Sequence, residues 1–379
     1  MAKGFVFRLV LLLLPLVSLQ AAEPFTVHNV SGGLNQPWGL ALVDQQWALV
    51  TEKPGNLVLV NLATGDKQRI YGVPIAKQVG QGGLLDIKLA PDFQQSRWVY
   101  FSYSKSVKGG VTTALARARW KGGLQLSELE ELLVTNAVRR STRHFGSRLA
   151  FDHRGYLYMT IGDRGHRKLA QDLSRHAGKV LRLNADGSVP KDNPFVGRKD
   201  VMAEIYTYGH RNPQGLAFDP VSQRMWLHEH GPRGGDEVNI LKAGANYGWP
   251  LQTFGREYSG LAIKNAAPED TVMPKWHWTP SIAPSGLAVY RGDAFPQWRG
   301  DLLVGALLGL GMVHLETTQE QVDEEQRFFE AFGQRIRTIE VGKGGEIYLL
   351  TDSSDGQLLR LDPVVTARSS SFRESIGRQ

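Results

Sequence analysis

The sequence predicts an all-β chain, a six-bladed β-propeller of four-stranded antiparallel blades. Three observations point there. A short apolar strand followed by an alternating, aromatic-rich strand recurs along the chain; the recurrence runs to six copies at intervals of roughly 45 to 70 residues; and helical periodicity is nearly absent. A large sandwich would not explain the repetition.

Taken in order, 38–41 precedes 46–51 and 56–60 in the first unit, and 84–89 precedes 98–103 in the second. In the third, Leu149 and Phe151 alternate with polar neighbours, His153-Arg154-Gly155 supplies a turn, and 156–161 is aromatic and β-branched, so a hairpin is expected. The fourth pairs 215–220 with 224–229, the fifth 285–290 with 301–306, and the sixth 337–341 with 346–351 and 357–361. The spacing predicts long loops at 104–143, 164–204 and 242–284, where a closed scaffold builds its sites. The charged stretches 128–133 and 319–329 are expected as solvated surface.

Residues 1–22 stand apart. Lys3 and Arg8 precede an apolar run, Leu9 to Leu19, and small residues Ala21 and Ala22 follow, the pattern of a cleaved secretory signal peptide. The run is shorter than the roughly 20 residues of a spanning helix, and no other segment approaches that length, so a soluble, periplasmic propeller domain is expected over 23–364. Zero cysteines suits that compartment. Residues 365–379 are Ser/Arg-rich and read as a disordered tail. The net charge of +7 falls once leader and tail are set aside, and with no basic stripe carrying interleaved aromatics the balance excludes a nucleic-acid partner while suiting an anionic small molecule.

In the third unit His144 stands at the entry of one strand and Asp163 at the exit of its partner, so the hairpin brings them to the same sheet end. A histidine bonded to a carboxylate is held in one tautomer and made more basic; a packed edge histidine beside a solvated aspartate is the competing reading of this segment alone. The inner strands line the channel, so residues at their entries converge. Gln81, His144, Arg211 with Asn212 and Gln214, and Arg335 with Arg337 share that position and predict one pocket. Its guanidiniums suit a planar ligand with several carboxylates, each bound bidentately. His228 and His230 would point to one face of a strand, where zinc or copper chelation is conceivable, but only two nitrogens are in view.

The motifs HFGSRLAFD with Asp163, GHRNPQGLAFDP at 209–220, EHGPRGGDEVN at 229–239, GANYGWP at 244–250, PSIAPSGLAVY at 280–290 and RIRTIEV at 335–341 occur one per blade and in order. From about Phe25 to Pro363 the chain resembles the soluble aldose sugar dehydrogenases, relatives of soluble quinoprotein glucose dehydrogenase that use pyrroloquinoline quinone (PQQ). The resemblance implies that His144 is the general base at the sugar's anomeric hydroxyl and Asp163 its orienter, and that Arg211 and Asn212 contact the quinone oxygens. It implies that Gln81, Gln214, Arg335 and Arg337 help hold PQQ, and that the carbonyls of Gly231 and Pro232 hold a calcium ion bound to it. A second, structural calcium would use Glu237 and the Tyr247 carbonyl. The substrate would be an aldose, oxidised to a lactone, with electrons leaving through an unidentified acceptor.

The chain departs from the glucose dehydrogenase pattern in three places. Arg143 stands where an acid precedes the catalytic histidine, no lysine occurs in 306–309 where one binds the cofactor, and Thr338 stands where relatives carry Asp beside Arg337. The alternatives are a metal-dependent lactonase, which needs a channel metal ringed by acids, and a non-catalytic sugar- or protein-binding propeller.

Overall fold

The computed structural model describes residues 23–263, 266–318, 320–329 and 331–364; the signal-peptide and tail readings at 1–22 and 365–379 fall outside them. Among the described residues, strands form six four-stranded antiparallel sheets, the blades of a propeller. The inner strands are Pro37–Leu42, Leu84–Leu89, Leu149–Phe151, Pro213–Asp219, Pro284–Val289 and Ile336–Val341. The sixth blade takes its outermost strand, Phe25–Leu34, from the start of the chain, pairing Phe25 with Pro363 and Leu34 with Gly356. Among the described residues no helix is long and apolar enough to cross a membrane.

Because each blade packs on two neighbours, its middle strands are apolar on both faces. Leu157–Ile161 shows how: Leu157, Met159 and Ile161 join a cluster with Leu84, Phe101 and Leu115 of blade two, whereas Tyr158 joins Leu216 and Leu227 of blade four. Outermost strands face solvent and read differently. Ser127–Val134 and Gln321–Phe328, expected as solvated surface, are the fourth strands of blades two and five. Their acidic sequences, SELEELLV and QVDEEQRF, go with that exposure, and in Ser127–Val134 no residue is fully buried. The expected long loop at 104–143 is likewise mostly strand, through Trp98–Val107, Gly110–Arg119 and Ser127–Val134. By contrast, among its described residues 242–284 holds only the strand Trp276–Trp278 before Pro284 opens the inner strand of blade five.

One buried side chain ties the ring together at its centre. Arg148 donates through Nε to Gln214 O (2.7 Å) and through Nη2 to Arg337 O (2.8 Å) and Ser285 O (3.3 Å). Its Nη1 donates to Thr338 Oγ1 (3.0 Å) and lies 3.5 Å from Asp86 Oδ1, while its guanidinium carbon sits 4.1 Å from the Trp38 ring centroid. Lying on blade three, this cation thus touches the other five. Burial pulls its pKa down to about 10, which leaves it charged at neutral pH.

Candidate active site

The expected hairpin forms, with Leu149 opposite Met159 and Phe151 opposite Leu157. His144 precedes it in a left-handed backbone conformation (φ 56°), and its N–H donates to Gln81 Oε1 at 2.7 Å. Gly162 permits the close approach, since a Cβ there would lie 2.2 Å from His144 O. His144 Nδ1 sits 2.7 Å from Asp163 Oδ1; that oxygen also accepts from Gly165 N (2.7 Å), and Oδ2 accepts from Trp249 Nε1 (2.8 Å). His144 and Asp163 are both buried. Burial holds the His144 pKa below its ordinary value against the pull of Asp163. For Asp163, burial pushes up, but the hydrogen bonds and charge from His144, with Gly165 and Trp249, overcome it and hold the carboxyl low. The pair is a neutral imidazole over an ionised carboxylate, with Nδ1 committed and Nε2 left as the basic atom.

Beside His144 lies a cavity of about 200 Å³. Gln81, Asn212, Gln214, Arg335 and Arg337 line it, as the repeat position predicts, together with Trp38, Lys53, His230 and Asp352. Asn212 Oδ1 accepts from Gly146 N (3.3 Å) and Gln214 Nε2 donates to Gly146 O (3.0 Å), fixing both amides against the segment that carries His144. Arg335 and Arg337 share one carboxylate: Asp352 Oδ2 accepts from Arg335 Nε (2.8 Å), and Oδ1 from Arg337 Nη2 (2.8 Å). Thr338 does not hold Arg337. Its hydroxyl donates to Trp38 O at 2.6 Å and accepts from Arg148.

Arg211 lines an adjoining space of about 10 Å³ with Glu229, His230, Gly231, Glu237, Tyr247 and Trp249. The expected single pocket is therefore two compartments that share His230, and His144 lines neither: it borders the larger one through its neighbours Phe145 and Gly146. Arg211 Nη1 donates to the carbonyls of His230 (3.1 Å) and Gly231 (3.0 Å), and Nη2 to Tyr258 Oη (3.1 Å). Glu229 accepts the Arg211 N–H and bonds His210 Nδ1 at 2.7 Å. Glu237 is buried, with Asn239 Nδ2 at 3.5 Å. Burial, and then the charge of Glu229, raises its pKa well above the usual carboxylate range.

The histidine pair forms no open chelate. Each Nε2 faces a backbone carbonyl of blade five, Gly286 O for His228 (3.3 Å) and Pro284 O for His230 (2.7 Å), which calls for a proton where a metal would need a lone pair. Among the described residues no group of three or more His, Asp or Glu side chains is placed to hold a metal ion. The carbonyls of Gly231 and Pro232 are a different donor set. They accept from Arg211 and from Arg256 N (3.0 Å) respectively, and each keeps a second lone pair.

Sequence reasoning passed over Lys53, Arg148, Trp249, Asp352 and the His210–Glu229 pair. A signal existed for several of them. Glu52, Asp163, Glu229 and Asp352 all stand at or just after the end of a blade's second strand, in blades one, three, four and six. Asp163, Glu229 and Asp352 each accept a hydrogen bond from a site residue, and Glu52 directly precedes Lys53.

Residues 34–360 match the family model described as glucose/sorbosone dehydrogenase. The chain is 42% identical to aldose sugar dehydrogenase YliI of Escherichia coli K12 over 362 residues, covering 93% of this chain and 98% of that one. It is 29% identical to quinoprotein glucose dehydrogenase B of Acinetobacter calcoaceticus over 432 residues, covering 91% and 89%. Among solved structures, the apo form of the soluble E. coli aldose sugar dehydrogenase superposes with a TM-score of 0.86 at 41% identity, covering 90% of this chain and 100% of that one. The PQQ-bound aldose sugar dehydrogenase of Streptomyces coelicolor superposes at 0.74 with 29% identity, covering 89% and 98%. With the family model matched over 34–360 and a relative 42% identical over almost the whole length of both chains, this protein belongs to the glucose/sorbosone dehydrogenase family.

Proposed function

We propose that this protein is a PQQ-dependent dehydrogenase that oxidises aldoses at the anomeric carbon to lactones, in the periplasm, after removal of the leader. The observation that carries the reading is the buried His144–Asp163 pair (2.7 Å) at the border of a cavity lined by Arg335, Arg337 and two fixed amides.

The residues present fit the implied groups. The cavity carries more cationic than anionic side chains, which an anionic polycarboxylate would balance, and Glu237 is a buried carboxyl that a cation would allow to ionise. PQQ, when bound, supplies the acceptor for the hydride leaving the anomeric carbon, and calcium adds Lewis-acid polarisation. Gln81, Asn212, Gln214, Arg335 and Arg337 would hold the cofactor, the carbonyls of Gly231 and Pro232 its calcium, and Glu237 with the Tyr247 carbonyl a structural calcium.

The chain's own part in the reaction follows from its hydrogen bonds. His144 Nε2 accepts the proton of the anomeric hydroxyl as C1 loses hydride, and Asp163 stabilises the imidazolium that results. Arg211, anchored through the carbonyls of His230 and Gly231, presents positive charge where negative charge develops. Electrons then leave through a soluble or membrane carrier. Dye reduction by apo-protein with a panel of aldoses tests the reading: turnover should require both PQQ and calcium, and turnover independent of either would refute it.

A further inference from the structure

Lys53 follows the second strand of blade one, Trp47–Glu52, and its backbone is clamped where blades one and two meet. Its N–H donates to Gln36 O and its carbonyl accepts from Leu84 N, both at 3.1 Å. A Cβ on Gly83 would lie 2.3 Å from Lys53 O, so nothing larger fits between the two backbones. The clamp sends the side chain into the cavity that Gln81, Arg335 and Arg337 line.

Charge in that cavity is unbalanced. Both oxygens of Asp352 are engaged, Oδ1 by Arg337 and Oδ2 by Arg335. Among the described residues Lys53 makes no ion pair; its ammonium donates to Gly80 O at 3.1 Å, and an ammonium has three protons to place. Three cations therefore face one committed carboxylate. Burial first, and then the charge of Arg337, lowers the Lys53 pKa, with Asp352 opposing.

We propose that Lys53 is a further cofactor-binding residue whose ammonium, beside Arg335 and Arg337, takes a carboxylate of the planar polycarboxylate bound in this cavity. The assignment rests on the quinoprotein reading of the site. It adds a pH signature. The charged groups facing Lys53 are Arg335, Arg337 and Asp352, all of blade six, and His230, which lines the same cavity, is held neutral by burial. Affinity should hold steady near neutrality and fall in alkali as Lys53 loses its proton, earlier than an ordinary lysine would.

The test is equilibrium titration of the apo-protein with PQQ in the presence of calcium, followed by quenching of tryptophan emission, for wild type, Lys53→Gln and Lys53→Arg. Lys53→Gln should weaken PQQ about tenfold, the size of one charge-assisted contact. Lys53→Arg should stay within about threefold of wild type and lose the alkaline fall, since guanidinium remains charged. Melting temperatures of the apo-proteins should coincide. Wild-type affinity in Lys53→Gln overturns the proposal, as does equal loss in both variants with lowered melting temperatures, which would make Lys53 a structural tie to Gly80. Failure of the wild type to bind PQQ at all is a different result and overturns the quinoprotein reading beneath it.

Discussion

The indole N–H of Trp249 donates to Asp163 Oδ2 at 2.8 Å, on the oxygen that His144 does not use. The ring lies 5.5 Å from the guanidinium carbons of both Arg167 and Arg211, so one side chain joins the carboxylate of the base pair to the arginine of the smaller compartment. Trp249→Phe removes one donor from the carboxylate and makes it more basic. The imidazolium is then favoured, and the acid limb of the kcat–pH profile should move up by roughly half a unit to one unit. An unmoved limb would show that the indole only packs.

In the wild type that limb should have its midpoint below the ordinary histidine value of about 6.5, because burial disfavours the cationic form of His144. Neutral His144 is the active form, so activity rises with pH through that midpoint. His144→Ala and Asp163→Asn should each lower kcat by about 10²- to 10⁴-fold. PQQ affinity should change little in either variant, which stopped-flow reduction combined with equilibrium titration would establish.

Asp352→Asn leaves Arg335 and Arg337 without the carboxylate that fixes them both. Their positive charge remains while their geometry is lost. Cofactor affinity should fall by about tenfold, and the salt dependence of binding should steepen, measured by titration at two ionic strengths.

Glu237→Gln should have opposite effects with and without calcium. In chelator, a neutral amide replaces a carboxyl whose ionised form burial and Glu229 disfavour, so the variant should melt at or above wild type. With calcium added, the wild type should gain stability by mass action and the variant should gain far less. Calorimetry with and without chelator reads both.

Arg148→Met strips hydrogen bonds from the Gln214, Arg337 and Ser285 carbonyls and leaves Asp86 without its cation. Unpairing one member of a buried charge network costs about 3–5 kcal/mol. A fall in melting temperature of roughly 5–10 °C is expected, and cofactor binding should suffer too, because Gln214 and Arg337 both hang from this guanidinium.

Much of the architecture was legible because a repeat imposes itself on composition. Strands packed on both faces become apolar runs, and six of them in series leave few other closed folds. The outermost strands were illegible for the converse reason: SELEELLV and QVDEEQRF pair along one edge, and solvent sets the rest of their chemistry. His144 and Asp163 could be read because they belong to one hairpin, and the entry positions of Gln81, Asn212, Gln214, Arg335 and Arg337 follow from the repeat. Arg148 could not, because its partners come from every other blade and only ring closure assembles them. The division of the pocket was hidden likewise, since it depends on how the 242–284 loop folds back over blade four.

The pairing of Phe25–Leu34 with Gly356–Pro363 reaches one residue further, where Val364 N donates to Pro24 O at 3.0 Å. The two ends of the domain are thus neighbours, and the last blade cannot be completed until the final strand has emerged. Closure of the ring therefore needs both halves of the sixth sheet, one from each end of the domain. It also follows that the ring has no obligatory starting point. A chain with residues 24 and 364 joined and reopened at the exposed Gly122-Gly123 turn would lay down the sixth blade as one contiguous segment and should close into the same propeller.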